Sequence, residues 1–545
     1  MQYTYDVTMF RETFESEFTY LNGFMRNVSR FANAPALNDP PSGRRWTYRA
    51  LNEDANRLAH ALHEDGVSKN DVVMFTLLNS PEFVFCYLAA HKVGAIACPV
   101  NYRQGAGELA LVIDDSRPKV LVYDTAFGEL TRQALELAEH KPQRVVMVDE
   151  RRELTAPTGE ISYQDYVADK PADDLPIDFA PHIYDETTRL YTSGTTNRPK
   201  GVPINNVNEV LSAHDVMMHF PMSSTDRSMN MTPWFHRGGL HSGGPCPTLY
   251  AGGEVIILRD FHPRTCLEYA EKYKVTFLIG VPTIIAMLAR AQEHTPADLH
   301  ALRGIVTMGA PFEKAACEQY MKLLTPNIFN GYGTTESFWN TFLRPYDLPA
   351  MAGTAGRSCI DDEVRVVEPC ENGHAEPDQT VARDNKAIGE IIIKSPAKSA
   401  YSYYNNPEMN AQKFYKGWLY TGDVGTWDEN EFITVAGRKD DMIVSAGENI
   451  YPTQIEAVLN EHPKVGESAV IGLPDRLRGE QVAAYIVPSD PSLTVEELKE
   501  YCVHHPMLSS YKWPRVYRLV DELPHTATGK LMHYKVRELA QKNEI

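Results

Sequence analysis

The sequence predicts an α/β protein built in several domains, and three observations carry that expectation. Between Val72 and Met308, continuous apolar runs of strand length alternate with amphipathic helices, an order that calls for crossover helices and parallel sheets. After Thr354 the texture changes to short alternating strands separated by turns, as at residues 363–367 and 389–394, which suits a small β-subdomain. The roughly hundred residues after Arg438 carry their own helices and strands, enough for a small α+β domain. At 545 residues the chain exceeds one ordinary core, in keeping with about two to four domains.

The elements follow in order. A first helix opens after Trp46, with Leu51, Ala55, Leu58, Ala59 and Leu62 at helical spacing, Thr47 placed to cap it and Gly66 to stop it. Residues 72–78 form a continuous apolar run suited to a strand buried on both faces. A helix over 82–92 and a strand over 94–100 complete a strand–helix–strand unit. The strand signal returns at 118–123 and 144–148, each after a helix, at 107–114 and 131–138. Residues 157–185, rich in Pro, Asp and Ala, read as a surface connection. A second alternating set runs through a strand at 253–258, a helix at 266–274 and strands at 276–280 and 302–308. In the last part, a helix at 452–461, strands at 467–471 and 481–487 and a helix at 494–504 are expected.

Bulk properties exclude several classes. With 43% hydrophobic and 23% charged residues, and no low-complexity tract, the chain reads as soluble and globular. A net charge of −19 argues against nucleic acid and anionic membrane surfaces as partners. Cys86, Cys98, Cys246, Cys266, Cys317, Cys359, Cys370 and Cys502 show no zinc-type spacing and read as buried thiols in a reducing compartment. Met1 to Phe18 has no signal-peptide core, and the longest apolar stretch, 275–289, is broken by Gly280 and Pro282. It falls short of the ~20 residues that span a bilayer, so no integral membrane segment is expected and a cytoplasmic location is.

Three clusters concentrate the chemistry. Tyr191-Thr192-Ser193-Gly194-Thr195-Thr196-Asn197-Arg198-Pro199-Lys200-Gly201-Val202 sets four hydroxyls, two glycines and two cations between apolar runs. Hydroxyls and unblocked N–H groups donate to phosphate oxygens, the glycines allow close approach, and the cations balance charge. The Gly-x-x-x-x-Gly-Lys-Ser/Thr order of P-loop enzymes is absent, since Lys200 precedes its glycine. A polar surface hairpin is the alternative for the same residues. Asn330-Gly331-Tyr332-Gly333-Thr334-Thr335-Glu336-Ser337 offers a ring for stacking, hydroxyls for phosphate and a hard oxygen ligand. Alone, it reads rather as a glycine-rich turn with an exposed carboxylate. Tyr420-Thr421-Gly422-Asp423 presents a carboxylate on a tight turn, suited to ribose hydroxyls, or else a plain loop tip.

The first cluster resembles the signature loop of the adenylate-forming superfamily, which includes acyl-CoA synthetases, firefly-type luciferases and peptide-synthetase adenylation domains. Asn197 stands where that pattern usually has Gly, and Asn tolerates left-handed backbone. The resemblance continues in order from about Trp46 to Lys530. It implies that Thr192, Ser193, Gly194, Thr195, Thr196 and Lys200 bind ATP, together with Asn330, Gly331, Tyr332, Gly333 and Thr334. Tyr332 then stacks on adenine, Thr335 donates to the α-phosphate, and Glu336 holds Mg²⁺. Gly309, Ala310 and Pro311 resemble the segment beside adenine. Pro233-Trp234-Phe235-His236-Arg237-Gly238-Gly239 resembles the acyl-pocket motif, with His236 as a gating, catalytic position and Trp234, Phe235, Met308 and Gly309 as lining. Asp423 and Arg438 match the ribose-binding pair, Asp440 the hinge residue, and Gly447 the loop bordering the CoA channel. Lys530, in Leu523-Pro524-His525-Thr526-Ala527-Thr528-Gly529-Lys530, matches the catalytic lysine that bridges the attacking carboxylate and the α-phosphate.

The implied architecture is a large N-terminal domain, 1–437, of two parallel-rich α/β subdomains and a small β-barrel-like subdomain. A hinge at 438–440 and a small mobile α+β domain at 441–545 complete it. The implied activity is ATP-dependent carboxylate–CoA ligation with Mg²⁺, on a hydrophobic acid: aromatic, alicyclic or medium-chain. The expected partners are the small-molecule acid, ATP and CoA, with the chain a monomer or homodimer. Three alternatives stay open: transfer of the acyl group to a carrier protein, a luciferase-type oxygenase, and a catalytically silent nucleotide-binding protein. An amino-acid-activating domain normally has Asp directly after the Phe of the pocket motif, where this chain has His236.

Overall fold

One layer is a seven-stranded sheet, in the order Ile161–Ser162, Arg144–Val148, Val120–Asp124, Val72–Thr76, Ile96–Pro99, Glu186–Thr192, Lys200–Asn205. Neighbours are parallel up to Glu186–Thr192, and only the last pair is antiparallel. Every residue of Val72–Thr76 is buried, as an unbroken apolar run in a two-sided parallel sheet requires. The crossover helices are capped as expected. Thr47 accepts from the Ala50 N–H at the head of Tyr48–Glu64, and Ser80 from the Phe83 N–H at the head of Pro81–Lys92, which starts on a proline. This computed structural model describes residues 5–545 apart from 152, 177, 193–198, 310–313, 371–372, 446–447, 477, 506–507, 509, 526–530 and 543.

A second, nine-stranded sheet is parallel through its middle, from Ile328–Thr334 across Gly304–Met308, Phe277–Gly280, Arg227–Asn230 and Glu254–Ile256 to Pro35–Asp39. Antiparallel strands close both edges, Phe338–Leu343 with Arg357–Ser358 on one side and Arg44–Thr47 on the other. Further along, Gly389–Lys394, Trp418–Trp427 and Ile433–Arg438 lie antiparallel. The last sheet joins Glu448–Ile450, Ile443–Ser445, Gly479–Pro488 and Val465–Asp475, with Val516–Leu519 parallel to Gly479–Pro488. Helices Pro452–Asn460, Val495–His504 and His533–Lys542 accompany it.

Two expectations are corrected. Residues 157–185 are not only a surface connection: Ile161–Ser162 adds the edge strand, and helix Tyr163–Val167 buries Tyr163 and Tyr166. Two aromatics one helical turn apart outweigh the polar residues around them. Thr421, Gly422 and Asp423 are not a tight turn but part of Trp418–Trp427, a strand buried throughout. Gly422, at φ +77°, kinks the strand without ending it, because Thr421 Oγ1 holds the Ile391 carbonyl at 2.7 Å.

Backbone contacts divide the chain into two units, Met1–Glu363 with Lys394–Gly417, and Val364–Ile393 with Trp418–Ile545. The second takes in both sides of residues 438–440. All the cysteines but Cys370, which is half-buried, are buried, and no disulfide forms among the described residues. Among those residues no helix is long and apolar enough to cross a membrane.

Candidate active site

The run at 191–202 has its two described ends on a pair of antiparallel strands. Glu186–Thr192 and Lys200–Asn205 pair with Thr192 opposite Lys200 and Tyr191 opposite Gly201. Ser193, Gly194, Thr195, Thr196, Asn197 and Arg198 lie outside the described residues. The strands are braced on both sides. Tyr191 donates to Asp115 at 2.6 Å, and Arg189 grips both Glu186 oxygens at 2.7 Å. The same guanidinium lies 3.4 Å from the centroid of the Tyr404 ring, and the Tyr404 N–H donates to the Gly201 carbonyl at 2.8 Å. Bidentate, charge-assisted bonds of this kind fix orientation as well as distance.

A second hairpin, Ile328–Thr334 with Phe338–Leu343, carries the glycine-rich cluster, and Thr335, Glu336 and Ser337 form its turn. Gly333 is obligatory here: a Cβ would stand 1.6 Å from the Phe338 carbonyl oxygen. Ser337 Oγ donates to Asn340 Oδ1 at 2.6 Å and lies 3.1 Å from the Thr334 hydroxyl. Glu336 is half-buried, and its Oε1 accepts from the Tyr403 hydroxyl at 2.5 Å. Tyr332, half-buried, pairs with Thr341, and a Cβ on Gly331 would press on the Trp339 ring at 3.1 Å. Asn330 is buried, and its Oδ1 has no partner among the described residues.

The motif at 233–239 is split between core and site. The Trp234 ring is buried against Phe83, with centroids 5.5 Å apart, and the Trp234 backbone N–H donates to Asn79 Oδ1 at 2.9 Å; it is a core residue. Phe235 continues an aromatic row: Phe127 stacks on Tyr102 at 4.5 Å, Tyr102 meets Phe235 edge-on at 4.9 Å, and Phe235 touches His236 at 4.1 Å. His236 precedes helix Arg237–His241, and its Nε2, shielded from solvent, has no partner among the described residues. Burial, helped by Arg103, pulls its pKa down to about 3, so the imidazole is neutral at physiological pH.

Arg237 joins this motif to the second hairpin. It is buried, and its Nη1 donates to the Thr335 carbonyl at 2.5 Å. Burial lowers its pKa to about 10, which leaves it charged. Met308 ends Gly304–Met308 with its sulfur where a Cβ on Gly238 would stand 2.9 Å away, and Gly309 follows at φ +84°. Ala310 and Pro311 lie outside the described residues. The first unit therefore brings together the described parts of 191–202, 233–239, 308–309 and 330–337, with Arg237 and the adjacent Tyr403 and Tyr404 as ties.

In the second unit, Asp423 stands opposite Arg438 on adjacent strands, and Nη1 of Arg438 donates to Asp423 Oδ1 at 2.8 Å. Lys439 reaches Glu390 at 3.2 Å and the Cys370 carbonyl at 2.7 Å. Asp440 sits in a single 3₁₀ turn, Lys439–Asp441, just after the Thr453 hydroxyl bonds the Ala436 carbonyl. Gly447 and Lys530 lie outside the described residues. Lys530 is flanked by a bridge between His525 and Leu531, with His525 2.6 Å from Glu467.

The structure also reveals residues that motif reading missed. Helix Asn206–His219 buries a polar stripe of Glu209, Ser212, Asp215 and His219, spaced three, three and four residues apart. Glu209 takes the Thr188 hydroxyl at 2.6 Å on one oxygen and His241 Nε2 at 2.6 Å on the other. Burial alone would raise its pKa, but His241 brings it down to about 2. Asp215 lies 2.9 Å from Lys398 Nζ, which also meets Asp362 at 2.8 Å and the Trp339 carbonyl at 2.5 Å. Two buried trios on this helix, Glu209–His241–Cys246 and Asp215–His219–Cys359, bring ligand-type atoms within 4.8 Å. Both are already satisfied, the first by the bonds to both Glu209 oxygens and the second by the Lys398 ammonium beside Asp215.

Comparison with known proteins agrees with this geometry. The profile of the AMP-binding enzymes matches residues 24–404, and that of the AMP-binding enzyme C-terminal domain matches 454–530. The chain is similar to a feruloyl-CoA synthase of Amycolatopsis sp, 32% identical over 498 residues that cover 91% of this chain and 94% of that protein. It is also similar to a long-chain-fatty-acid–CoA ligase of Mycobacterium tuberculosis, 30% identical over 512 residues, 92% of this chain and 94% of that one. Its fold matches the crystal structure of the anthranilate CoA ligase AuaEII in complex with anthranoyl-AMP, with a TM-score of 0.85 and 26% identity over 96% of this chain and 98% of that one.

Proposed function

Because this chain belongs to the AMP-binding enzyme family, we propose that it is an AMP-forming acid–CoA ligase acting on a hydrophobic carboxylic acid. In the first half-reaction the substrate carboxylate attacks the α-phosphate of ATP, giving acyl-AMP and pyrophosphate. In the second, the CoA thiol attacks the acyl carbon and releases AMP. Both nucleophiles belong to substrates, so the protein supplies positioning and charge.

The observation that carries this reading is the 2.5 Å bond from Arg237 to the Thr335 carbonyl. It sets the acyl-pocket motif directly against the turn that serves the α-phosphate, the juxtaposition an in-line attack by a bound acid demands. Lys200 and the hydroxyls of 192–196 hold the phosphates, Tyr332 stacks on adenine, and Asp423 and Arg438 hold ribose. Glu336 suits Mg²⁺: its Oε1 is steadied by Tyr403, and Oε2 accepts no bond among the described residues. When bound, the cation neutralises charge on the phosphates. His236, neutral and with Nε2 unpartnered among the described residues, gates the acid without donating a proton as imidazolium. Lys530 approaches the reacting phosphate during adenylation, Asp440 is the hinge between 1–437 and 441–545, and Gly447 borders the thiol's path.

The aromatic row from Phe127 through Tyr102 and Phe235 to His236 favours an acid with an apolar or ring-bearing body. Eight cysteines with no disulfide among the described residues support a reducing, cytoplasmic setting. The test is ATP–pyrophosphate exchange across a panel of aromatic, alicyclic and fatty acids, followed by CoA-dependent AMP release with the best of them. Exchange and thioester formation with the same hydrophobic acid are expected. Exchange without a CoA product would indicate a carrier-protein acceptor, and no exchange with any acid would indicate a silent nucleotide-binding protein.

A further inference from the structure

The Thr335–Glu336–Ser337 turn sits at the end of a two-stranded edge, an arrangement that by itself is mobile. Here it is held from beneath by two buried cations. Arg237 bonds the Thr335 carbonyl at 2.5 Å, and Lys398 bonds the Trp339 carbonyl, on the returning strand, also at 2.5 Å. The cations are themselves linked, since Arg237 Nη2 donates to the Lys398 carbonyl at 2.8 Å. Lys398 is neutralised by Asp215 and Asp362, and Asp362 also takes the Asn340 amide at 3.0 Å, fixing a third point of the same hairpin. Arg237 differs: among the described residues it has no ion pair, and its Nε has no partner. A buried, unpaired guanidinium is costly to fold around, and a neutral residue would fill the space more cheaply. Tyr403 completes the arrangement from the other side through its 2.5 Å bond to Glu336.

We propose that Arg237, Lys398 and Tyr403 are positioning residues that lock the Thr335–Glu336 turn in its adenylation geometry, Arg237 and Lys398 through two carbonyls and Tyr403 through the Glu336 carboxylate. Arg237 lies one residue after His236 and Tyr403 one before the Tyr404 that holds Gly201, so the clamp keeps acid, cation and phosphate sites in mutual register. None of the three needs to touch a substrate.

This inference rests on the ligase reading, and its test separates the two. Arg237→Met, Arg237→Lys and Tyr403→Phe are compared with the wild type in pyrophosphate exchange, in thioester formation from supplied acyl-AMP, and in the Mg²⁺ concentration giving half-maximal exchange. Arg237→Met should lower exchange about 10²-fold, the typical effect of displacing a reacting group by roughly 1 Å. Arg237→Lys should recover at least about tenfold of that loss, because an ammonium reaches one carbonyl but not both. Tyr403→Phe, which removes only a hydroxyl and is safe for folding, should lower exchange about tenfold and raise the half-maximal Mg²⁺ several-fold. Thioester formation from acyl-AMP should fall much less than exchange throughout, since it needs neither Mg²⁺ nor the departure of pyrophosphate. Equal losses in both half-reactions, or a Tyr403→Phe enzyme with unchanged exchange and Mg²⁺ dependence, would overturn the clamp while leaving the ligase reading intact. A wild type without exchange would overturn both.

Discussion

Replacing Gly333 by alanine gives the sharpest test of the glycine-rich hairpin. A Cβ there would stand 1.6 Å from the Phe338 carbonyl oxygen, 2.6 Å from its carbon and 2.9 Å from Trp339 Cα, all backbone atoms that no rotamer change can move. Relief to a tolerable 3.0 Å requires the facing strand to retreat by about 1.4 Å. Phe338 already sits at φ +62°, and the rung between Thr334 and Phe338 closes the turn that holds Glu336. Overpacking against backbone costs about 3 kcal/mol, the upper part of the usual range, which for a unit of this size corresponds to a melting temperature lower by roughly 4 °C. A shift of more than 1 Å at a positioning turn costs about 10²-fold in rate, so pyrophosphate exchange should fall by that factor or more. Gly107→Ala is the internal control. Gly107 lies in helix Ala106–Ser116 with nothing within 4 Å of its added carbon, so alanine there should leave activity unchanged and stability equal or slightly higher. Calorimetry and exchange measured on both variants decide the matter. Matching behaviour of the two would refute the reasoning, because it would mean that the Gly333–Phe338 approach is not what shapes the turn.

Lys530→Ala should slow acyl-AMP formation by about 10²–10³ while leaving thioester formation from supplied acyl-AMP nearly normal, and equal damage to both halves would count against its role. Asp440→Pro should keep adenylation and lose thioester formation, since rotation there has to release the Thr453 bond to Ala436 and proline fixes φ; full overall turnover would move the hinge elsewhere. Gly447→Leu should leave pyrophosphate exchange and melting temperature unchanged while CoA-dependent product falls steeply, and parallel loss of both would favour a structural turn instead. The Glu209 carboxyl has a folded pKa of about 2 against an ordinary 4.5, so its stabilisation is complete above about pH 4.5 and fades as pH falls toward 2. The stability gap between wild type and Glu209→Gln, read from denaturant midpoints, should therefore narrow by about 1 kcal/mol between pH 4.5 and 3.5; a constant gap would show that the carboxyl is not held down.

Much of the fold was legible because local signals agreed with the tertiary outcome. Thr47 and Ser80 cap the helices they precede, and the buried strand Val72–Thr76 is an uninterrupted apolar run. Candidate site positions could be named where an ordered run of small and polar residues stands out, at 191–202 and 330–337. It was illegible where burial inverts the ordinary meaning of a charge. Glu209, Asp215 and His219 belong to no motif, and they are buried because Thr188, His241 and Lys398 arrive from elsewhere in the chain. Arg237 was visible inside a motif but was given no role there, and Tyr403 gave no signal because its partner is 67 residues away. Trp234 shows the opposite failure: its place in the motif suggested lining, but a large aromatic beside Phe83 is worth more in the core. Asp423 was found by type and misjudged by setting, since a glycine at positive φ looks the same in sequence whether it ends a strand or bends one.

The first unit is not one stretch of chain: it runs to Glu363, leaves, and is completed by Lys394–Gly417. Both Lys398 and Tyr403 lie in that returning segment. During synthesis at about 5–20 residues per second, the returning segment is finished about 3–10 s after Glu363. Until then Asp215 and Asp362 have no ammonium to face, Trp339 keeps an unanswered carbonyl, and the Glu336 turn is unlatched. The nascent polypeptide can thus assemble two sheets and still be unable to turn over nucleotide, with the last latch delivered late. A protein cut after Glu363 would keep most of its core and lose that latch, so excision of 394–417 should yield a folded but soft unit, and adding the segment back as a peptide should stiffen it.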